Sequence, residues 1–104
     1  MNECIVFITA SSEDEAAKIA REVVEARLAG CVNIMRNIRS IYCWDGKIED
    51  EAEVLMIAKT QEHLFDALVK KVKELHSYTV PEIIAIPVAE GSADYLKWLK
   101  DVTD

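Results

Sequence analysis

The sequence predicts a single α+β domain over residues 1–104, and three observations support that prediction. Apolar runs of strand length alternate with helical repeats in the order strand, helix, strand, strand, helix, strand, followed by one further helix. Asp45-Gly46, a dipeptide that tolerates positive φ in a tight hairpin turn, joins the second and third strands. Pro87 falls in the last strand, and proline belongs on an edge strand because it has no N–H for the ladder. The order is that of a ferredoxin-like βαββαβ sandwich with an additional C-terminal helix, in which the first and third strands are central.

The first strand and the first helix have clear local signals. Glu3 to Thr9 is an apolar, β-rich run, which indicates a strand buried on both faces. Ser12 and Glu15 form a capping box at the start of a helix. Apolar residues then recur at helical spacing, and we expect the helix to end at Gly30.

A long hairpin follows the first helix. Cys31 to Trp44 is predicted as its first strand, with an interruption around Arg36-Asn37, and Lys47 to Thr60 as its second strand. Typical strands have about five or six residues, so both arms extend beyond a small sheet. The tip carries Tyr42 and Trp44, which a lone domain would leave in water. We therefore expect an oligomer built through these edges, the alternative being a hairpin that folds back over its own sheet.

The second half of the chain supplies a helix, an edge strand and a short final helix. Apolar residues at helical spacing predict the second helix from about Gln61 to Leu75. Pro81 fixes the chain in extended form before a strand predicted from Ile83 to Val88. Ser92 then caps the last helix.

Composition and charge exclude several classes of protein. Hydrophobic residues make up 51% of the 104 residues, which is incompatible with a disordered chain. The formal net charge of −7 repels phosphate backbones, so we expect no nucleic-acid binding. No run approaches the roughly twenty apolar residues that a membrane helix needs, and the start of the chain lacks the basic region of a signal peptide. Three cysteines without paired spacing favour a reduced, cytoplasmic protein.

Three motifs, matching in order and spacing, resemble the CutA family of divalent-cation tolerance proteins: Arg27-Leu28-Ala29-Gly30-Cys31-Val32-Asn33, Tyr42-Cys43-Trp44-Asp45-Gly46-Lys47 and His76-Ser77-Tyr78-Thr79-Val80-Pro81-Glu82-Ile83-Ile84. The resemblance runs over nearly the whole chain. It implies a homotrimer of ferredoxin-like subunits, similar in architecture to PII signal-transduction proteins. It also implies a protein that contacts copper or similar divalent cations weakly and requires no cofactor.

The resemblance makes His76 the candidate metal ligand. Some members of the family are reported to bind copper through a cysteine late in the first strand and two adjacent histidines. The corresponding positions here are Ile8, Leu75 and His76, so only His76 keeps a ligating side chain. The alternative for His76 is a helix-terminal residue that interacts with the last carbonyl groups. A dense carboxylate run from Glu49 to Glu53 is interpreted as a solvated hairpin arm, with loose contact to a hard cation as the alternative.

A trimer of this shape would have clefts between its subunits, and these clefts are the candidate ligand site. The matching motifs supply its aromatic and charged residues, which are Tyr42, Trp44, Lys59, Tyr78 and Glu82. The alternative is that these residues only seal the interface. No nucleophile–base pair or acid–base dyad can be assembled from the motifs, so we predict no enzymatic activity. Two rival hypotheses stay open: a PII-like sensor that binds a small ligand in the clefts, and a structural adaptor.

Overall fold

The computed structural model describes residues 2–104 and confirms the α+β prediction. Four strands, three α-helices and one 3-10 turn follow in the predicted order: β1 Glu3–Ala10, α1 Glu13–Glu25, β2 Cys31–Trp44, β3 Lys47–Gln61, the 3-10 turn Glu62–Leu64, α2 Phe65–Leu75, β4 Ile83–Pro87 and α3 Ala93–Asp101. The second helix was expected from about Gln61, and the 3-10 turn occupies its first residues instead. None of the helices in this part of the chain is long and apolar enough to cross a membrane.

The strands form one antiparallel sheet in the order β2-β3-β1-β4. The predicted central position of β1 and β3 is therefore confirmed. Pro87 lies in β4 at the edge of the sheet, opposite Cys4 of β1. An edge strand needs hydrogen bonds on one side only, so the missing N–H of proline costs the ladder nothing on the outer side.

The β2–β3 hairpin has the predicted turn and the predicted interruption. Its pairing runs from Cys31 opposite Lys59 to Trp44 opposite Lys47, with a register shift between Met35 and Ile38. Within that shift Asn37 has a φ of 62°, a left-handed conformation that asparagine tolerates better than most residues. Asp45 and Gly46 have φ values of 52° and 75°, as a type I′ turn requires. The hairpin accounts for the elongated shape of the chain, whose longest extent is 44 Å.

The expectation that the first helix ends at Gly30 is wrong. α1 ends at Glu25, and Arg27 takes the left-handed conformation with a φ of 62°. The N–H of Leu28 bonds to the carbonyl of Val23 at 2.9 Å, which is the C-terminal capping arrangement usually completed by glycine. Gly30 instead leaves room for Leu99 of α3, because a Cβ at position 30 would lie 2.5 Å from Cδ1 of Leu99.

Two helices, α1 and α2, cover one face of the sheet and form the core with it. The core consists of small and branched apolar side chains from these helices and from alternate positions of β1 and β3, including Val6, Ile8, Ile19, Val23, Met56, Leu68 and Val72. α3 packs Leu99 against Gly30 beside β2.

The opposite face of the sheet is apolar and incompletely covered, and we call it the open face. It contains half-buried residues of β1 and β3 together with more exposed residues of the outer strands, namely Ile5, Phe7, Leu55, Ile57, Met35, Ile84 and Ile86. Phe7 lies between Ile57 on one neighbouring strand and Ile84 on the other. Ile5 similarly lies opposite Ile86. These pairs form a continuous apolar surface on one side of the sheet.

Candidate functional site

A cleft of about 800 Å³ lies between the outer half of the β2–β3 hairpin and the segment that follows α2. Four of the five predicted cleft residues line it, namely Tyr42, Trp44, Tyr78 and Glu82. Trp44 comes from the hairpin tip and is half exposed, at 50%. The cleft is thus formed between two of the three motifs, within a single chain.

Lys59, the fifth predicted residue, is not part of the cleft in the single chain. It lies opposite Cys31, at the end of the hairpin away from the turn. Its ammonium group hydrogen-bonds to the side-chain oxygen of Asn33. A contact between Lys59 and the cleft would require a neighbouring subunit, and it stays a prediction.

Each of the two tyrosines in the cleft donates its hydroxyl hydrogen to a carboxylate of β3. Tyr42 bonds to Oε1 of Glu51 and Tyr78 to Oε2 of Glu53, both at 2.7 Å. The bond to Glu51 raises the pKa of Tyr42 to about 12, because the neighbouring negative charges oppose ionisation of the phenol. Burial, followed by the bond to Glu53, raises the pKa of Tyr78 as well. Both phenols therefore stay neutral at physiological pH.

The carboxylates lie in a row along β3. Glu49, Glu51 and Glu53 occupy alternate positions, so their side chains leave the same face of the hairpin, and all three line the cleft. The prediction of a solvated arm fits Glu51, which is exposed, but not Glu53, of which only 8% is exposed. We call these three residues the carboxylate row.

Arg39 is the only lysine or arginine that lines the cleft within residues 2–104, and Asp50 engages two of its nitrogen atoms. Nε of Arg39 lies 2.8 Å from Oδ1 of Asp50, and Nη2 lies 2.6 Å from Oδ2. This bidentate geometry is the strong form of a guanidinium–carboxylate pair. Arg39 and Asp50 alternate with the carboxylate row along the same two strands, so their side chains leave the opposite face of the hairpin.

His76 is held tightly beneath the cleft. Its side chain is 0% exposed and its ring packs on that of Tyr78, with 4.6 Å between the centroids. Nδ1 accepts the backbone N–H of Tyr78 at 3.0 Å, so Nε2 carries the hydrogen that it donates to the carbonyl of Thr9 at 2.7 Å. His76 does cap the C-terminus of α2, but its ring bonds to the end of β1 rather than to the last carbonyls of the helix.

Both nitrogens of His76 are therefore already engaged, and an ion at this residue would have to replace one of these hydrogen bonds. Ile8, at the position of the family cysteine, is fully buried in the core. Within residues 2–104, no group of three or more His, Cys, Asp or Glu side chains is arranged to hold a metal ion.

Glu15 fixes the wall of the cleft to the first helix. Its carboxylate accepts the backbone N–H of Ser11 at 3.0 Å, the hydroxyl of Ser11 at 2.9 Å and the backbone N–H of Ser77 at 2.8 Å. Burial opposes its ionisation, but the hydrogen bonds from Ser77 and Ser11 outweigh burial and lower the pKa to about 2. The predicted capping box is present in modified form, because Glu15 reaches the N–H of Ser11 rather than that of Ser12.

Sequence reasoning missed three residues that shape the site. Glu51 and Glu53 were assigned to a solvated arm, although their alternation with Glu49 on a strand that faces Tyr42 could have indicated a shared surface. Glu15 was recognised only as a capping residue. Its bond to Ser77 joins positions 62 residues apart in sequence, and no local pattern predicts such a contact.

Comparison with known proteins gives a consistent result over almost the full length. The family described as "CutA1 divalent ion tolerance protein" matches residues 4–102. A divalent-cation tolerance protein CutA from Thermus thermophilus is 50% identical over 101 residues, which cover 97% of this chain and 98% of that protein. A solved structure of a Thermus thermophilus divalent cation tolerance protein superposes with a TM-score of 0.96 at 49% identity, covering 98% of this chain and 99% of the other.

A plant relative is longer than this chain. The rice protein named "Protein CutA 1, chloroplastic" is 43% identical over 99 residues, which are 95% of this chain. This chain spans 56% of the length of that relative.

Proposed function

The chain belongs to the CutA1 family of divalent ion tolerance proteins, and from this premise we propose that it is a non-enzymatic homotrimer that contacts copper or similar divalent cations weakly. The observation that carries the proposal is the match to that family over residues 4–102, at 50% identity to a relative named for divalent-cation tolerance. The net charge of −7 also supports it, since an acidic surface attracts cations without selecting among them.

The open face supports the oligomeric part of the proposal. A sheet needs an apolar layer on each hydrophobic face, and the second face of this sheet lacks one within the chain. Ile84 and Ile86 are 56% and 48% exposed there, beside the half-buried Phe7 and Ile57. Copies of the same chain, placed with these faces together, would bury the surface.

The cation would contact the carboxylate row, His76 or both. Carboxylates suit hard divalent ions, whereas imidazole suits copper and zinc. The carboxylate row lines the cleft, and its members Glu49 and Glu51 are more exposed than Glu53. An ion on His76 would displace the hydrogen bond to Thr9 or to Tyr78, and this cost is one reason to expect weak binding.

Titration calorimetry with divalent copper and with zinc tests the metal proposal. We expect weak heats from the unaltered protein. A His76→Ala variant that loses the copper heat would identify His76 as a ligand, and a combined Glu49→Gln, Glu51→Gln variant that loses it would identify the carboxylate row. Glu90→Gln, which removes an exposed carboxylate away from the cleft, is the matched control. Heats at the level of buffer for both metals would refute divalent-cation binding by this chain.

A second candidate function is favoured by the cleft itself. A concave site of about 800 Å³, lined by aromatic rings and a few charged groups, has the size and composition of small-molecule sites. A PII-like sensor would require that a neighbouring subunit also contact this cleft. Thermal-shift screening against cationic, anionic and neutral metabolites tests this candidate, because a ligand of the folded state raises the unfolding temperature. A structural adaptor would respond to neither test.

We place the protein in the cytoplasm. The three cysteine thiols are free, and Cys43 is exposed on the hairpin, which suits a reducing compartment. Detection of the tagged full-length protein in a periplasmic or organellar fraction would refute this placement.

A further inference from the structure

We propose that α3 is a strap over one end of the sheet, that contacts of Arg27 hold it closed, and that it opens as one unit about the connection formed by residues 88–92. We call the contacts of Arg27 with Asp101, Thr103 and Asp104 the latch. The proposal goes beyond the functions proposed above, because it depends neither on the binding of a metal ion nor on a ligand in the cleft.

The latch joins the connection between α1 and β2 to the C-terminal end of α3. Nε of Arg27 donates to Oδ1 of Asp104 at 2.9 Å. Nη2 donates to the carbonyls of Asp101 and Thr103 at 3.0 and 3.3 Å. The backbone N–H of Asp104 in turn donates to the carbonyl of Arg27 at 3.0 Å. The guanidinium bonds join positions 74 to 77 residues apart in sequence, so they help to determine where the end of α3 lies.

Arg27 makes these contacts from a strained backbone conformation. Its φ of 62° is left-handed, at a helix end where glycine would be unstrained. Such strain persists only where the surrounding contacts stabilise it. Three bonds of the latch come from the guanidinium group, which glycine lacks. The contacts with the end of α3 therefore give a physical reason for an arginine at a position that glycine usually occupies.

The rest of α3 has few attachments to the domain. Of its nine residues, Leu99 alone is buried. Tyr95 and Trp98 are 43% and 42% exposed, and residues 89–94 are all exposed. Segments with few buried contacts open at a lower free energy than the core. Leu99 and the latch thus hold the C-terminal end of α3, and release of that end lets the helix turn about residues 88–92.

The C-terminal end of α3 lies on the same side of the sheet as the open face. Nε2 of Gln61 donates to Oγ1 of Thr103 at 2.6 Å, and Nζ of Lys100 lies 4.0 Å from Oε2 of Glu3. Gln61 alternates with Ile57 along β3, and Glu3 is paired with Gln61, so these side chains leave the open face. The strap therefore covers the end of the open face at Gln61 and Glu3.

Opening of the strap would also separate α3 from Gly30. A Cβ at position 30 would lie 2.5 Å from Cδ1 of Leu99 and 3.0 Å from Cγ2 of Val102, so the side chains of α3 fill the space that glycine leaves. The open state would expose an apolar slot at the start of β2. The position of the strap thus determines how far the exposed apolar surface of the chain extends.

Hydrogen exchange of the full-length protein, measured by mass spectrometry, tests the proposal. In the unaltered protein we expect the amides of α3 to exchange together and faster than those of β1 and β3. Arg27→Gln removes the guanidinium bonds but keeps a side chain on the left-handed residue, and it should accelerate exchange in α3 about tenfold. Arg27→Gly should accelerate α3 similarly although it relieves the backbone strain, and it should not accelerate exchange at the end of α1.

Arg21→Gln, an exposed substitution on α1, is the matched control and should leave exchange in α3 unchanged. Unchanged exchange of α3 in both Arg27 variants would overturn the proposal. Equal acceleration in α3, β1 and β3 would also refute it, because Arg27 would then stabilise the whole domain rather than the strap. A steady gradient of exchange rates along α3 would indicate fraying from one end and would exclude opening as a unit.

Discussion

Glu15 shows how a single side chain can connect distant parts of the chain. Its three hydrogen bonds hold Ser11, before α1, and Ser77, after α2, to one carboxylate. Ser77 directly precedes Tyr78, whose hydroxyl bonds to Glu53 in the cleft. The position of the cleft wall therefore depends on the ionised form of Glu15.

Acid should destabilise the protein through Glu15. Its pKa is about 2 in the folded chain, against 4.5 for an ordinary glutamate. A lowered pKa contributes stability that is fully present above pH 4.5 and is lost as the pH falls from there towards 2. We expect Glu15→Gln to cost about 1–2 kcal/mol at pH 7 and the difference from the unaltered protein to shrink through that window. Urea unfolding at a series of pH values measures it.

Glu25→Gln, an exposed substitution at the last residue of the same helix, is the control for general charge effects. It should change the unfolding free energy little at any pH. A Glu15→Gln variant whose deficit stays constant from pH 7 to the acid limit would contradict this account of Glu15.

At the scale of elements, the turn of the long hairpin determines where the aromatic tip and the carboxylate row lie. Gly46 has a φ of 75°, and nothing lies within 4 Å of the position that a Cβ would take. A side chain at this position would therefore strain the backbone but would cause no steric clash. We therefore expect Gly46→Ala to destabilise the protein by about 1–2 kcal/mol, the cost of a left-handed residue with a Cβ.

Gly46→Asn provides the matched comparison, since asparagine visits the left-handed region more readily than alanine. It should lie between the unaltered protein and Gly46→Ala in the midpoint of urea unfolding. Equal midpoints for the two variants would show that backbone strain at the turn is not what sets the stability of the hairpin.

The elements also show which parts of the fold could be predicted from sequence. The turn at Asp45-Gly46, the edge position of Pro87 and the irregularity near Asn37 follow from local backbone chemistry, and all three are confirmed. The end of α1 at Glu25 was predicted wrongly because Gly30, five residues further on, imitates a helix C-cap. Here Arg27 adopts the left-handed conformation, and its guanidinium bonds to Asp104 at 2.9 Å, a partner 77 positions away.

The predicted cleft between subunits stays a prediction, although most of its residues do lie together in one chain. Motif residues of the hairpin and of the segment after α2 do line one cleft, as four of the five predicted residues show. The carboxylate partners of the two tyrosines depend on the register of the hairpin and on the fold around α2, which the sequence specifies only through long-range packing. His76 is buried for the same reason, since its ring lies against the end of β1.

At the scale of the whole molecule, the chain leaves a second apolar surface uncovered besides the one that the sequence indicated. The exposed tip residues Tyr42 and Trp44 were expected to drive assembly, and both are exposed in the single chain. The open face crosses the sheet from Met35 on β2 to Ile86 on β4. Burial of apolar surface contributes about 25 cal/mol for each Å² removed from water, so we expect the open face to contribute to assembly as well as the tip.

Charges on the open face should therefore break the oligomer without unfolding the subunit. Ile84 and Ile86 are exposed in the single chain, so lysine at either position meets no buried contact there, but a trimer interface would force the ammonium group out of water. We expect Ile84→Lys and Ile86→Lys to shift sedimentation from trimer to monomer at micromolar concentration while helical circular dichroism is retained. Val24→Lys, on the exposed side of α1, introduces the same charge elsewhere and should leave the trimer intact. Monomeric sedimentation of the unaltered protein would refute the trimer, and trimeric sedimentation of both open-face variants would show that assembly uses the hairpin tip instead.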